Sequence, residues 1–561
     1  MPDENGNVNE AVDQRVEEIV KPIRLATAKA LRIAEEAKGT SLDAFKIADE
    51  AKMRSGRAMS ASAGAINTAK TAAHVADLAT LGVKNTHNRI DKLHPDDPSG
   101  GDPGGGDPGG GDPGGGDPGG EDKIEAGMNL VHPTYWWRSH LFADLALTAD
   151  FWRDDGTAYV YASGYAPTGN YVLKWEGTDD IDVPIGGVVL DRSSRAILFR
   201  IEQGTPIIGF RNTAGHDDPN IRNITILPER YVTADGPFST KTVKRLRKFK
   251  VLRFMDMQRT NHAKQRKWEA RTRPGDPQNT NRGTAIEHMV DLCNVCEAVP
   301  WFCLPHLGDL DYCEQFGRMV RSRMTGAVLY LEYSNELWNG RFAQARWMAE
   351  GVGMYSDAYF KKWVASMNQS VEAFVRGHGD RSRIKVVLGT QLHNTWIAKQ
   401  LIKFGAKFDV ISPSAYFGFP SDDGPTTVEE AFDRAPGIIA TENRRLYREH
   451  MDIARAYGAE HTKIVPMVAY EGGQHWDDPY DDRDDMFMEA NRDPRMYDLY
   501  QQNMVEFEAA GGELIVGFND VGSQSKSGSW GHLLYEDQPL SEAHKQRAIE
   551  EYERGRKLPI D

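Results

Sequence analysis

From Val12 to Ala79, apolar residues recur in steps of four and three. The series starts Val12, Val16, Ile19, Ile23, Ala26, Ala30, Ile33 and ends Ala72, Val75, Ala79, and only Thr40, Arg54 and Thr68 interrupt it. A sustained 3.5-residue repeat predicts a coiled coil. Alanine dominates this seam, so the helices must approach closely and each layer buries little area. Leu25, Leu31, Leu42, Phe45, Met53, Ile66 and Leu78 form a second stripe, which a trimer, a bundle or an antiparallel hairpin would use. A lone amphipathic helix on another partner is the alternative. Pro22 fits a helix start better than a helix middle. Residues 1–95 are therefore expected to form a helical attachment and homo-oligomerisation region, with a trimer as the expected number.

The pattern then breaks. Residues 101–120 are four copies of Gly-Asp-Pro-Gly-Gly. Proline every five residues prevents helix and sheet, and glycine with repelling aspartates favours a solvated spacer. The linker is placed at 96–122. A first buried strand follows at Gly127–Leu130. Between 155 and 230, short alternating runs such as Thr157–Tyr161, Tyr171–Trp175, Ala196–Arg200 and Ile221–Ile226 predict an inserted β-sandwich. Beyond 231, apolar runs alternate with amphipathic helical stretches, the pattern of βα units. The runs are Val251–Met255, Trp301–Pro305, Ala327–Tyr333, Ile384–Leu388, Phe408–Ser412, Ile464–Tyr470 and Leu514–Phe518. With the first strand these make the eight of a (β/α)8 TIM barrel, an α/β fold assigned to 123–154 and 231–561.

Charge and composition narrow the function classes. The net charge of −15 argues against a nucleic-acid binder, which needs a basic face, and against adhesion to anionic membrane. Neither a membrane span nor a signal peptide is expected: no long apolar run occurs, and Met1–Asn5 is polar and acidic. The four cysteines, Cys293, Cys296, Cys303 and Cys313, lie in apolar helical or strand patterns and read as buried free thiols, with a zinc site near His306 as the alternative. No catalytic metal is expected. The acidic run Asp477–Asp485 reads as a solvated rim loop, with calcium as its alternative ligand. The basic run Lys241–Lys250 reads as a solvated helix face.

In such barrels the chemistry sits at the C-terminal ends of strands. The fourth strand ends in Tyr333-Ser334-Asn335-Glu336-Leu337-Trp338-Asn339, and the seventh in Ala469-Tyr470-Glu471-Gly472-Gly473. Two glutamates thus emerge nearly opposite each other across the mouth. Glycoside hydrolysis needs such a pair, one protonated to assist the leaving oxygen and one ionised, with a separation of about 5–5.5 Å for retention. Asp256 and Glu332 also lie near strand ends but off these two positions; strand alternation puts Glu332 deeper.

This constellation resembles the clan of (β/α)8 retaining glycoside hydrolases that includes cellulases and β-galactosidases, marked by Asn-Glu after strand four and Glu after strand seven. The likeness spans about 127–545, interrupted by the sandwich, and the phrase Glu332–Asn339 also looks like a bacterial and viral branch of barrel proteins. The resemblance implies Glu336 as acid/base, Glu471 as nucleophile and Asn335 as donor to the sugar 2-hydroxyl. It implies that Tyr416 holds the nucleophile's oxygen, that Arg253 keeps Glu471 ionised, and that His306 lies beside the acid. Trp530 would stack on a sugar face, and His393 and Trp396 would wall the subsites.

Together, the stalk, spacer and sugar-cleaving head are expected to form a phage virion part that depolymerises a host-surface polysaccharide, with other virion proteins as partners. Multiple heads would raise the effective concentration on a polymer. A glycan-binding adhesin or structural spike of the virion is the non-catalytic alternative, and a cytoplasmic oligomeric glycosidase is a third.

Overall fold

A computed structural model describes residues 124–133, 141–148, 157–161, 168–202, 207–212, 221–229, 237–419, 423–477, 483–525 and 528–554. The expected coiled coil and repeat linker lie outside them. The described residues all belong to one compact unit.

Eight parallel strands close a barrel: β1 (Glu125–Asn129), β2 (Val251–Arg253), β3 (Val299–Leu304), β4 (Leu329–Tyr333), β5 (Ile384–Thr390), β6 (Val410–Pro413), β7 (Met467–His475) and β8 (Gly512–Gly517). Each pairs with its sequence neighbours, and β1 pairs with β2 on one side and β8 on the other. Between β6 and β7 the ladder rests on Ile411 opposite Met467; past Ser414 a further strand, Ala415–Gly418, continues beside Gly472–His475. The strands are near-continuous apolar runs because barrel strands are covered on both faces. Trp301–Leu304, Val386–Leu388, Met467–Tyr470 and Leu514–Val516 are all buried.

Three of the α-helices between strands start where the sequence provides a cap. Asp309, Ser356 and Thr427 accept from the N–H groups of Tyr312, Tyr359 and Glu430 at 2.8, 3.1 and 3.1 Å, satisfying donors that the helix leaves open. Two of these helices, Leu310–Arg323 and Asp357–His378, touch backbone to backbone. A Cβ on Gly317 would sit 2.1 Å from the Phe374 carbonyl oxygen, and one on Gly377 would sit 1.8 Å from that of Glu314. Both glycines are needed for that approach.

Between β1 and β2 the chain builds two antiparallel sheets. Thr157–Tyr161, Ile207–Asn212 and Ile181–Ile185 form one, and Gly187–Ser193, Ala196–Ile201, Gly169–Gly177 and Ile221–Pro228 form the other. Leu173, Trp175, Phe199 and Ile226 from one sheet share a core with Ile181, Val183, Ile208 and Phe210 from the other. This is the inserted sandwich that the alternation predicts.

The reading of Lys241–Lys250 as a solvated face needs correction. Arg245 is buried, pairing with Asp520 at 2.8 Å and Glu536 at 3.2 Å, and Lys248 pairs with Glu550 at 2.7 Å. The acidic partners arrive from the far end of the chain, so helical spacing alone could not show them. The four cysteines are free and buried. Among the described residues, no group of three or more His, Cys, Asp or Glu could hold a metal, and no helix is long and apolar enough to cross a membrane.

Gly377→Ala should push the two helices apart. It is expected to cost about 1–3 kcal/mol, the usual range for overpacking, read as a lowered midpoint in thermal or urea unfolding. An unchanged midpoint would mean that the contact yields without loss.

Candidate active site

At the end of β4 the backbone departs from strand geometry. Ser334 and Glu336 have φ of 61° and 42°, the left-handed region that non-glycine residues adopt only where surroundings enforce it. The Ser334 N–H donates to the Leu304 carbonyl at 2.8 Å, and the Asn339 N–H to that of Glu336 at 2.8 Å. Two phenols fix the next turn: Tyr355 donates to the Trp338 carbonyl at 2.6 Å, and Tyr359 donates to that of Leu337. Asn335 is thereby buried, while Glu336 is half-buried. The Glu336 carboxylate accepts from the Tyr470 hydroxyl at 2.8 Å and from Asn339 Nδ2 at 2.9 Å.

Regular alternation along β7 would send Tyr470 and Glu471 to opposite faces. The ladder to β8 slips between them: Ala469 lies opposite Ile515 and Gly472 opposite Gly517. This bulge re-aims side chains, so that Tyr470 reaches Glu336 while Glu471 reaches Arg253. Two glycines complete the bend. A Cβ on Gly472 would meet Ala415 and Ile515 at 3.1 Å, and Gly473, with φ of 136°, would place one 2.5 Å from the Tyr500 hydroxyl.

Arg253, fully buried on β2, donates to four side chains. Nη1 reaches Glu471 at 2.8 Å and Asn129 at 3.0 Å, Nη2 reaches Glu332 and Asn335 at 2.8 Å each, and Nε reaches Glu332 at 3.3 Å. The rings of Trp301 and Tyr470 lie 5.5 and 5.0 Å from the guanidinium, within cation–π range. Tyr416 donates to the second Glu471 oxygen at 3.0 Å.

Burial pushes the Glu471 carboxyl up, to about 8, against the pull of Arg253; the field of Glu336 adds to the rise. The two carboxyl groups are thus close enough to feel each other. Burial and both carboxylates hold the Tyr416 and Tyr470 phenols far above their usual range, so both act as donors.

A cavity of about 670 Å³ opens beside Glu336 and is lined by residues that follow β4 to β7, among them Gln391, His393, Tyr416, Tyr470 and His475, and by Glu442 from the helix Ile439–Asn443; Glu471 is not among the lining residues. Its size suits a small organic group with a few polar contacts. Trp530 stands edge-on to Tyr416 at 5.9 Å and to His475 at 4.9 Å. His393 lines the cavity and faces Glu442 at 3.6 Å. Trp396 is absent from that lining and packs edge-on against Phe360 at 5.1 Å.

His306 has no hydrogen bond to Glu336 among the described residues. It lies edge-on to Trp347 at 5.3 Å, and burial, with Arg266, His262 and Lys264 nearby, pushes it down to about 4. Of the acidic run, Asp477 pairs with His475 at 2.9 Å, while 478–482 lie outside the described residues.

Sequence reasoning missed Tyr470 and His475, and gave Glu332 no role. Strand alternation hid Tyr470. His475, four residues beyond Glu471 on the same strand, carried a positional signal. Glu332 accepts from Arg253, from Trp301 Nε1 at 3.0 Å and from the Cys303 thiol at 3.6 Å, a buried partner no local pattern announces.

No family model matches the chain, and no curated protein matches it. Solved structures do resemble it. A GH51 arabinofuranosidase from Xanthomonas axonopodis pv. citri aligns at 13% identity and TM-score 0.40, covering 59% of this chain and 69% of that one. An α-L-arabinofuranosidase from Thermotoga maritima, in its arabinose complex, aligns at 14% and 0.38, covering 57% and 65%. A Bacteroides uniformis β-glucuronidase aligns at 12% and 0.33, covering 70% and 48%. The chain thus spans less than two thirds of the latter two proteins. Likeness this distant leaves activity to be argued from the site itself.

Chemically, the site offers a buried carboxylate held by two donors and a second carboxyl facing a cavity. A step that needs Glu471 ionised should fail at low pH and recover as pH rises. Its raised pKa places that acid limb above the ordinary glutamate range, toward pH 8. Tyr416→Phe removes a donor to the charged form, so the limb should move further up. A kcat/KM profile against pH checks both; a limb near pH 4.5 that does not move in the variant would contradict them.

Proposed function

We propose that the barrel is a retaining glycoside hydrolase. The observation that carries this reading is the contrast between the two glutamates. Glu471 is buried, with one oxygen on Arg253 at 2.8 Å and the other on Tyr416 at 3.0 Å; Glu336 faces the cavity. Glu471 attacks the anomeric carbon as the glycosidic bond breaks, and Glu336 gives its proton to the departing oxygen. Glu336 then takes a proton from water, which displaces Glu471 from the sugar and restores both groups. Asn335 has its oxygen held by Arg253 and its Nδ2 on Asn261 at 3.1 Å, which leaves a second Nδ2 hydrogen for the sugar 2-hydroxyl. Tyr470 keeps a hydrogen bond on Glu336 through the proton cycle.

The test is hydrolysis of bacterial surface and plant polysaccharides by the full chain, with Glu336→Gln and Glu471→Gln alongside. Both variants should lose at least a hundredfold in kcat, and the parent should retain anomeric configuration. Glycan binding by all three proteins without hydrolysis would make the head an adhesin instead.

The finer role, a stalked depolymerase of a phage particle, is supported by the heptad seam from Val12 to Ala79 and the Gly-Asp-Pro-Gly-Gly spacer. Sedimentation equilibrium of the full chain should give three times the chain mass; a monomer would remove the stalk from the proposal.

A further inference from the structure

The space above Glu336 does not end at Gly340. Beyond that glycine lies a second, more open depression of about 530 Å³, lined by Arg346, Trp347, Ala349, Glu350 and Met354. Gly340 borders both spaces. A Cβ there would meet only Met354 Cε and Sδ, at an ordinary 3.5 Å, and Gly340 is not among the glycines with positive φ. Neither packing nor backbone conformation therefore demands glycine; what its missing side chain provides is an open passage.

The floor past this passage is held rigid. Lys362 Nζ lies 4.9 Å from the centre of the Trp347 ring and donates to the carbonyls of Trp347 and Glu350 at 3.0 and 3.4 Å. His306 meets the same ring at 5.3 Å. Arg346 donates to the carbonyls of Gly340 and Arg341 at 3.0 and 2.6 Å, tying the passage to the helix Ala343–Ala349. The result is a preordered indole with a thioether beside it, next to a polar cavity. Sugar rings carry apolar C–H faces and hydroxyl edges, and such a platform takes the former while the cavity bonds the latter.

We propose that this depression is a leaving-group subsite for a glycan chain. This rests on the glycosidase reading and deepens it. The acid delivers its proton to the leaving oxygen, so the leaving part of the chain lies on the Glu336 side. Gly340 and Glu336 line the same cavity, and Gly340 also lines the depression, which Glu471 does not. A chain whose cleaved unit sits over Glu471 runs past Glu336, across Gly340 and onto Trp347.

The test uses the full chain with Gly340→Phe, which fills the passage, and Trp347→Ala, which removes the platform. Probes are linear arabinan, xylan, galactomannan and a bacterial capsular polysaccharide, with 4-nitrophenyl glycosides of the same sugars. Each variant should raise KM for the cleaved polymer at least ten times more than KM for the matching nitrophenyl glycoside, with kcat on the polymer changed less than threefold. Equal effects on both substrates, or none on either, would overturn the subsite. If the parent cleaves nothing, the glycosidase reading fails; polymer binding by calorimetry then decides the subsite alone, and equal affinity in parent and both variants overturns it. Gly340→Phe keeps the test valid should Trp347→Ala unfold.

Discussion

The site depends on one buried guanidinium. Arg253 has five N–H donors, and its five hydrogen bonds run to Asn129 on β1, to Glu332 and Asn335 on and after β4, and to Glu471 on β7. A guanidinium is planar and always charged, so its fork sets where each partner can stand. Burying such a charge with two carboxylates is no stability gain in itself, since desolvation can exceed the attraction. What it secures is geometry: removing one partner would leave the others uncompensated, at about 3–5 kcal/mol. Three strands far apart in sequence are thereby locked in register at the barrel mouth.

Two local departures from regular structure complete the arrangement, and both lie where the reacting groups are needed. The bulge in β7 lets consecutive residues serve one site, Tyr470 for Glu336 and Glu471 for Arg253 and Tyr416. Positive φ at Ser334 and Glu336 turns the chain so that Asn335 points into the Arg253 network while Glu336 faces the cavity. Left-handed conformations at non-glycine residues cost about 1–3 kcal/mol each. The surrounding hydrogen bonds, including those from Tyr355 and Tyr359, offset that cost and hold the loop that carries Glu336 still.

The same surroundings place the two carboxyls in unlike settings. Burial raises Glu471, and Arg253 opposes it by favouring the ionised form. Among the described residues Glu336 has a phenol and an amide as hydrogen-bond partners, and it borders an open cavity.

The sequence by itself determined the barrel, because period and run length report burial locally: eight apolar runs, a stretch of period-two strands between the first and second, and Glu336 and Glu471 at strand ends. It also placed Arg253 and Tyr416 near Glu471, through the resemblance those motifs carry. Only the tertiary structure decided what depends on chain segments meeting from afar. Glu332 joined the Arg253 network, Arg245 turned from solvent to Asp520 and Glu536, and His306 turned to Trp347 rather than to Glu336. Tyr470 entered the site through a bulge that strict alternation forbids. Periodicity says which face of an element is buried; which charge, ring or cavity waits there is set by closure of the barrel, which brings together residues that the sequence keeps more than two hundred positions apart, as with Arg253 and Glu471.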